Sequence, residues 1–408
     1  MTLNDTPSED TFDPREPFLP ERAEEDIASF HELQSKCPVH RQADGAWLAT
    51  TQAGVRGVLE HLESFGGTFG NYENEDPDDV ILPGLAEPLH STIRRGVNAS
   101  VAYHRSVTVQ PFLRSLVTRL VAEASAACEK EGSVDLYQAV LLPVPASVIA
   151  HLLGVPDEDR PLFTKWGDEL CERQLDGDNF DRPVGDLHPE FADYIDSHIQ
   201  RRKAEGAVGD DSISRMIRAG DQRGHVMSDR MIRTQLINLL VAGNETTRNL
   251  LGSIFYRLAS DPSFYAELKN DRELIAPMVE EVLRLESPVR FLVRRCSNAA
   301  ALEGEPIEPQ DTLLLSLEAA NRDPTTFEQP DTFDLGRDNP RDHLAFGAGP
   351  HICPGAFLAR LEANVVVDTY LDLVDETTLV PGTEYKANPI YWARGPVTLP
   401  VSMRPSQV

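Results

Sequence analysis

Basic residues are scarce in this chain. Its 408 residues set 38 lysines and arginines against 66 acids, a formal charge of −28. A surface this acidic repels nucleic-acid phosphates and anionic lipid, so neither is expected as a partner. Cysteines are few as well. Cys37, Cys128, Cys171, Cys296 and Cys353 are odd in number and form no CxxC pair, which argues against a disulfide framework or a zinc ribbon and suits a reducing cytoplasm. Long apolar runs are missing. The most apolar window, residues 139–156, is broken by Pro143 and Pro145, too interrupted for a lipid-exposed span, so no membrane is expected. No repeat of solenoid length recurs, and strand-like alternation is sparse and short beside long helical periodicities. With 41% apolar and 25% charged residues, the chain reads as a mainly α globular protein. Its length allows two or three average domains, yet no clear linker divides it.

The first 26 residues carry nine acids against Arg15 and Arg22 and read as an acidic, partly disordered arm, not a signal. Residues 46–58 suggest a short strand pair leading into a helix. Residues 66–83, with five acids between Glu73 and Asp79, suggest a long mobile loop. A helix over 87–101 carries His90 and Arg94 four residues apart, and residues 177–189 read as a surface connection. The longest helix starts at the natural caps Ser228 and Asp229 and runs without proline to about Ser260, roughly 48 Å. Residues 236–243 are apolar nearly all round, so this helix crosses the interior. Directly after them comes Asn244-Glu245-Thr246-Thr247-Arg248, a polar cluster that is costly there unless used or satisfied. Asn238, Ala242 and Thr246 share one stripe at four-residue spacing, and Asn238 faces either a pocket or a neighbouring helix. Further on, residues 312–317 suggest a strand, 321–347 an irregular stretch and 356–374 a helix.

Cys353 ends the loop Phe346-Gly347-Ala348-Gly349-Pro350-His351-Ile352-Cys353-Pro354-Gly355 and stands just before that last helix, with Pro354 expected at its first position. Backbone N–H groups and the positive helix end favour a thiolate there, as a metal ligand or a nucleophile. An inert cysteine before a helix is the alternative. Gly347, Gly349 and Gly355 favour the first reading, because their lost entropy calls for a close backbone approach. Zinc is disfavoured, since His343, His351 and Cys353 lack a fourth ligand at plausible spacing.

This loop resembles the haem-binding loop of the cytochrome P450 family, Phe-Gly-x-Gly-x-(His/Arg)-x-Cys-x-Gly, with every fixed position filled. Ala242 to Thr247, Glu281-Val282-Leu283-Arg284, His90 to Arg94 and Asn321-Arg322-Asp323-Pro324 are similar to further motifs of its bacterial members. The resemblance implies the P450 fold, a helical haem-binding body with a smaller β-containing region, over one domain of residues 1–408. It implies haem b with Cys353 as axial thiolate, and cofactor contacts from His90, Arg94, Ala242, Gly243, Arg294, Phe346, His351 and Gly355. Thr246 and Glu245 match the acid–alcohol pair that delivers protons during dioxygen activation, the carboxylate relaying them from solvent. A Thr246 hydroxyl bonded to its own helix is compatible with that role. Ala242 and Gly243 would leave room for oxygen. Glu281 and Arg284 would form a structural ion pair with Arg337, needed for haem incorporation. Leu85, Asn238, Val241, Val289 and Ile390 match pocket walls. Arg290 could bind an acidic substrate, a propionate or solvent, and the acidic loop 73–79 a cationic ligand or only water.

The implied function is a cytoplasmic, monomeric haem-thiolate monooxygenase. It would insert one atom of dioxygen into a small or medium apolar substrate by hydroxylation or O/N-dealkylation. Electrons would come from NAD(P)H through a separate ferredoxin reductase and ferredoxin. Docking an acidic ferredoxin calls for a local basic island, for which Arg94, Arg95, Arg105, Arg114 and Arg360 are available. A peroxide-driven peroxygenase and a non-catalytic haem-thiolate sensor are the alternatives, and the Glu245-Thr246 pair favours dioxygen chemistry.

Overall fold

The computed structural model describes residues 13–406 except 17, 67–75, 176–181 and 222–226. Helix dominates, at 58% of the chain. In chain order, α1 (Ala23–Lys36), the hairpin β1 (Val39–Arg41) and β2 (Trp47–Ala49) and α2 (Gln52–Glu60) lead to α3 (Leu89–Val101), α4 (Tyr103–Thr108) and α5 (Gln110–Glu131). After β3 (Val134–Asp135) come α6 (Pro143–Leu153), α7 (Arg160–Leu175), α8 (Val184–Leu187), α9 (Pro189–Ala204) and α10 (Ser212–Asp221). Then follow α11 (Asp229–Ser260), α12 (Pro262–Asn270), α13 (Ile275–Leu285), β4 (Phe291–Arg295), β5 (Ala300–Leu302), β6 (Glu305–Ile307) and β7 (Thr312–Ser316). The chain closes with α14 (Leu317–Ala320), α15 (Ala356–Leu373), β8 (Val374–Leu379) and β9 (Pro400–Pro405).

The strands form one sheet in the order β1-β2-β7-β4, a second in the order β3-β9-β8, and the hairpin β5-β6. In the first, β2 pairs parallel with β7 and β7 antiparallel with β4, which sets Arg294 opposite Leu313. The largest core cluster gathers α3, α5, α6, α7, α9, α10, α13 and α15 around α11. The bounds expected for α11 are met: the Ser228 Oγ accepts from the Met231 N–H at 3.0 Å, and the helix ends at Asp261-Pro262, where Asp261 caps α12. No helix among the described residues is long and apolar enough to cross a membrane.

Three sequence expectations change. Within the first 26 residues the described part is not a solvated arm: Phe18 is buried and Arg15 bonds to Asp13, Asp44 and Gln42, while residues 1–12 lie outside the described residues. Of residues 177–189, those from 182 on carry a short helix with Val184, Gly185 and Leu187 buried, so they are not merely a surface connection. The acidic stretch ending at Asp79 is docked on α11 where it is described: Asp76 and Asp79 pair with Arg230 at 2.6 and 2.7 Å, and Asp78 accepts from Ser228. These acids are thus answered by the protein itself. Glu73 and Glu75 lie outside the described residues.

Candidate active site at the cysteine loop

Glycines shape the loop before α15. Gly347 and Gly349 have φ of +70° and +66°, and a Cβ on Gly349 would stand 2.4 Å from the Leu59 carbonyl oxygen, so the loop lies against the end of α2 as only glycine permits. Pro354 and Gly355 form a turn, so α15 begins at Ala356, as the expected range 356–374 has it, and Pro354 is not its first residue. The Cys353 N–H donates to the Phe346 carbonyl at 2.9 Å and closes the loop. Its thiol is solvent-accessible, and protein also crowds it. Desolvation pushes its pKa up against hydrogen bonds from the Gly355 and Ala356 N–H groups and the charges of Arg94 and Arg360. A bound cation would deprotonate it outright.

Four cationic or donor side chains converge beside this loop. The His90 and His351 rings stack with centroids 4.1 Å apart and planes 14° from parallel. Arg94 donates to the Ile352 carbonyl, and Arg294 is buried on β4. Desolvation first, then His90, Arg294 and Arg94, pushes the His351 pKa down to about 4, and desolvation pushes Arg294 down to about 10. Among the described residues only Glu87, 2.9 Å from His90 Nδ1, brings a carboxylate to the group. His90 Nε2 and Arg294 Nε are buried with no partner among the described residues. Each such buried polar atom costs about 1–3 kcal/mol unless something pairs with it. A ligand carrying two carboxylates and a thiolate-binding metal fits these residues, and that is the chemistry of haem. Among the described residues no cluster of histidines, cysteines and acids suits a bare metal ion.

The α11 helix, which packs against α15, presents the expected stripe. Along a helix otherwise buried through its middle, Ala242 is exposed and Asn238, Gly243 and Thr246 are half-buried. Thr246 Oγ1 donates to the Ala242 carbonyl at 2.7 Å, the local bond foreseen for it. Gly243 serves packing more than oxygen access, because a Cβ there would stand 3.0 Å from Ile149 Cδ1.

Glu245 does not face solvent. It is fully buried and accepts from Arg248, from Asn249 Nδ2 at 3.0 Å and from Asn388 Nδ2 at 2.6 Å. Arg248 also pairs with Asp168, whose side chain is 33% exposed, so any route from Glu245 to water runs through that pair. Leu85, Val241 and Ile390 are buried and Val289 is half-buried, bridged to Ala393. Half-buried Leu292, which the sequence reading missed, stands 4.0 Å from the Cβ position of Gly347.

Arg290 is not a substrate, propionate or solvent group. It is 1% exposed, donates to Glu318 at 3.1 Å and to the Tyr391 carbonyl at 3.0 Å, and reaches the Glu16 carbonyl. The basic island is likewise largely neutralised: Arg105 pairs with Asp210, Arg114 with Asp368 and Arg360 with Glu280. A cleft of about 480 Å³ lined by Tyr256, Arg257, Phe264 and Phe333 opens at the end of α11 and includes none of the site residues.

Two buried acids on α13 fix the approach to the loop. Glu281 accepts from Arg284 at 2.7 and 2.8 Å, from Arg337 Nε at 3.2 Å and from the Asp334 N–H at 3.0 Å, which forms the expected triad. Glu280, which the sequence reading passed over, accepts from Arg360 at 2.7 and 2.9 Å and from His343 at 3.0 Å, while Arg360 lies 4.4 Å over the Phe346 ring. Desolvation would raise the Glu280 carboxyl, but His343 and Arg360 outweigh it and hold it down to about 2. Burial keeps His343 below its ordinary value, so the charge on this acid is answered chiefly by Arg360, with the exposed Arg341 at 3.4 Å. The one visible signal was a pair of adjacent acids on an apolar helix.

Comparison with known proteins agrees with this geometry. The family description "Cytochrome P450" matches residues 85–373. The cytochrome P450 monooxygenase PikC of Streptomyces venezuelae is 32% identical over 391 residues, 90% of this chain and 91% of that protein. A steroid C26-monooxygenase of Mycolicibacterium smegmatis is 29% identical over 92% of each chain. The crystal structure of CYP109E1 from Bacillus megaterium in complex with corticosterone superposes with a TM-score of 0.80 at 28% identity, covering 92% of this chain and 97% of that one. A cysteine loop of this form, in a chain matched over most of its length, makes this protein a bacterial cytochrome P450 monooxygenase.

Proposed function

We propose that the chain is a single haem-b domain that hydroxylates or dealkylates a medium-sized apolar molecule, as a cytoplasmic monomer supplied with electrons by a separate ferredoxin. The carrying observation is the convergence of exposed Cys353 with His90, Arg94, Arg294 and His351, a group of two cations and two imidazoles answered by one carboxylate among the described residues. Haem bound there supplies thiolate-ligated iron for dioxygen activation. Cys353 Sγ is the ligand, steadied by the Gly355 and Ala356 N–H groups. His90, Arg94, Arg294 and His351 take the two carboxylates, and the Glu281 triad and Glu280 with Arg360 hold the loop. The Thr246 hydroxyl turns from the Ala242 carbonyl to pass a proton toward the pocket, and Glu245 replenishes it after Arg248 lets go of Glu245, keeps Asp168 alone and leaves Glu245 free to take up a proton.

The substrate lies along the α11 stripe, against Leu85, Val241, Val289 and Ile390. The Asn238 side chain makes no hydrogen bond with the described residues and stands about 6 Å along the axis from Ala242, so it serves a carbonyl or hydroxyl on an otherwise apolar ligand. Relatives named for a steroid position or crystallised with corticosterone support a ligand of that size. The test is a titration with steroids and macrolactones read as a low-spin to high-spin shift. Turnover with ferredoxin, reductase and isotope-labelled dioxygen follows. Incorporation of label is expected; product formed from hydrogen peroxide alone, without label from dioxygen, would overturn the monooxygenase reading.

A further inference from the structure

The N-terminal segment reaches the turns assigned above to the substrate pocket. Phe18 is 6% exposed, although Leu19 beside it is open to solvent. Its ring lies 4.2 Å from the Arg394 guanidinium and 5.9 Å from that of Arg290, and meets Tyr385 edge-on at 6.2 Å. Both arginines share Glu318, at 3.3 and 3.1 Å. Arg290 Nη1 also donates to both the Glu16 and the Tyr391 carbonyls.

These contacts clamp two turns together. The Arg290 N–H donates to the Trp392 carbonyl at 2.8 Å, the Arg394 N–H donates to the Pro288 carbonyl at 3.0 Å, and Val289 bridges Ala393 between them. The other end of the C-terminal loop is fixed to α11, where Asn388 donates to Glu245 and Asn249. The tip carrying Ile390 and Tyr391 is therefore held by α11 at its base and by the arginine pair at its side. Phe18 closes that pair from outside with the face of its ring, an attraction that strengthens as the cation is desolvated. The segment is itself tied down through Arg15 to Asp44 and Gln42 beside the β1–β2 hairpin.

We infer that Phe18 is a positioning residue for substrate: its ring, stacked beside Arg394 and Arg290, holds the 288–290 and 390–394 turns together and so fixes the pocket wall carrying Val289 and Ile390. This inference rests on the proposed haem pocket and adds a residue that touches neither haem nor substrate. A role limited to general stability would weaken every ligand alike or none. A positioning role is selective for ligands that fill the wall.

The test uses the haem-loaded full chain and two azoles read by the Soret shift. Imidazole reports access to iron alone, whereas the ring of 4-phenylimidazole also fills the pocket. Phe18→Ala and Phe18→Leu should weaken 4-phenylimidazole about tenfold (~1.4 kcal/mol) and leave imidazole unchanged. Phe18→Tyr, which keeps the ring face, should restore it. Amide exchange at Arg290 and Arg394 should quicken in the first two variants only. Wild-type azole affinities with unchanged exchange in Phe18→Ala, or equal weakening of both azoles, would overturn the inference. Failure of the wild-type protein to bind either azole would overturn the haem reading instead, and the exchange comparison would still decide the clasp.

Discussion

Replacing Glu281 by glutamine strands two buried guanidinium groups. The Arg284 and Arg337 side chains are 0% and 4% exposed, and among the described residues Glu281 is the one carboxylate paired with both. Glutamine keeps a single acceptor oxygen and turns an amide NH2 toward a cation. At least two charge-assisted hydrogen bonds are lost, each worth about 1.5–3 kcal/mol. Arg284 retains the carbonyls of Asn321 and Thr332, and Arg337 that of Glu328, so the loss is not total. The expected cost is about 3–5 kcal/mol, the range for breaking a buried pair from one side. Against a usual stability of about 5–15 kcal/mol this is a large fraction. Urea unfolding of the purified protein at unchanged slope measures it, and haem content should fall in parallel because the 331–337 stretch leads into the cysteine loop. A change under about 1 kcal/mol with full haem content would refute the reasoning.

Acid should act through Glu280. Its folded pKa of about 2 lies below the ordinary 4.5, so its stabilisation is fully present above about 4.5 and disappears as pH falls toward 2. Glu280→Gln should flatten that part of the acid-unfolding curve by roughly 2 kcal/mol; an unchanged curve would show that the pairing with Arg360 contributes nothing. Thr246→Ala should keep haem yet lower the ratio of product to NAD(P)H consumed by roughly tenfold or more. Unchanged coupling would remove the proton role. Arg290→Met should destabilise the fold by about 3 kcal/mol without altering the relative affinity for acidic and neutral ligands, measured by Soret titration. A selective loss of acidic ligands would restore the substrate role that burial against Glu318 argues against.

Local signals were legible in the sequence where they were self-contained. The α11 helix carries its own start in Ser228, its own stop in Pro262 and the periodicity that puts Asn238, Ala242 and Thr246 on one face. The cysteine loop was readable because its glycines and Cys353 are contiguous. Partnerships across the chain were not. Nothing near Arg290 announces Glu318, which arrives through the pairing of β4 with β7 and the turn into α14. The resemblance implies a solvent relay at Glu245, but Asn388, from a loop 143 residues away, seals it. The formal count of arginines could not show that Arg105, Arg114 and Arg360 are paired with acids. Gly243 likewise reads as room for oxygen until Ile149 is seen against it.

The account depends on Cys353 as the thiolate of a bound haem. Its most direct measurement is the Soret band of the reduced protein under carbon monoxide, in wild type and Cys353→His. The wild-type protein should give the strongly red-shifted band of a thiolate-ligated haem, and the variant should lose it while retaining haem. A wild-type band at the position of an ordinary histidine-ligated haem, or a red-shifted band that survives in Cys353→His, would contradict the account.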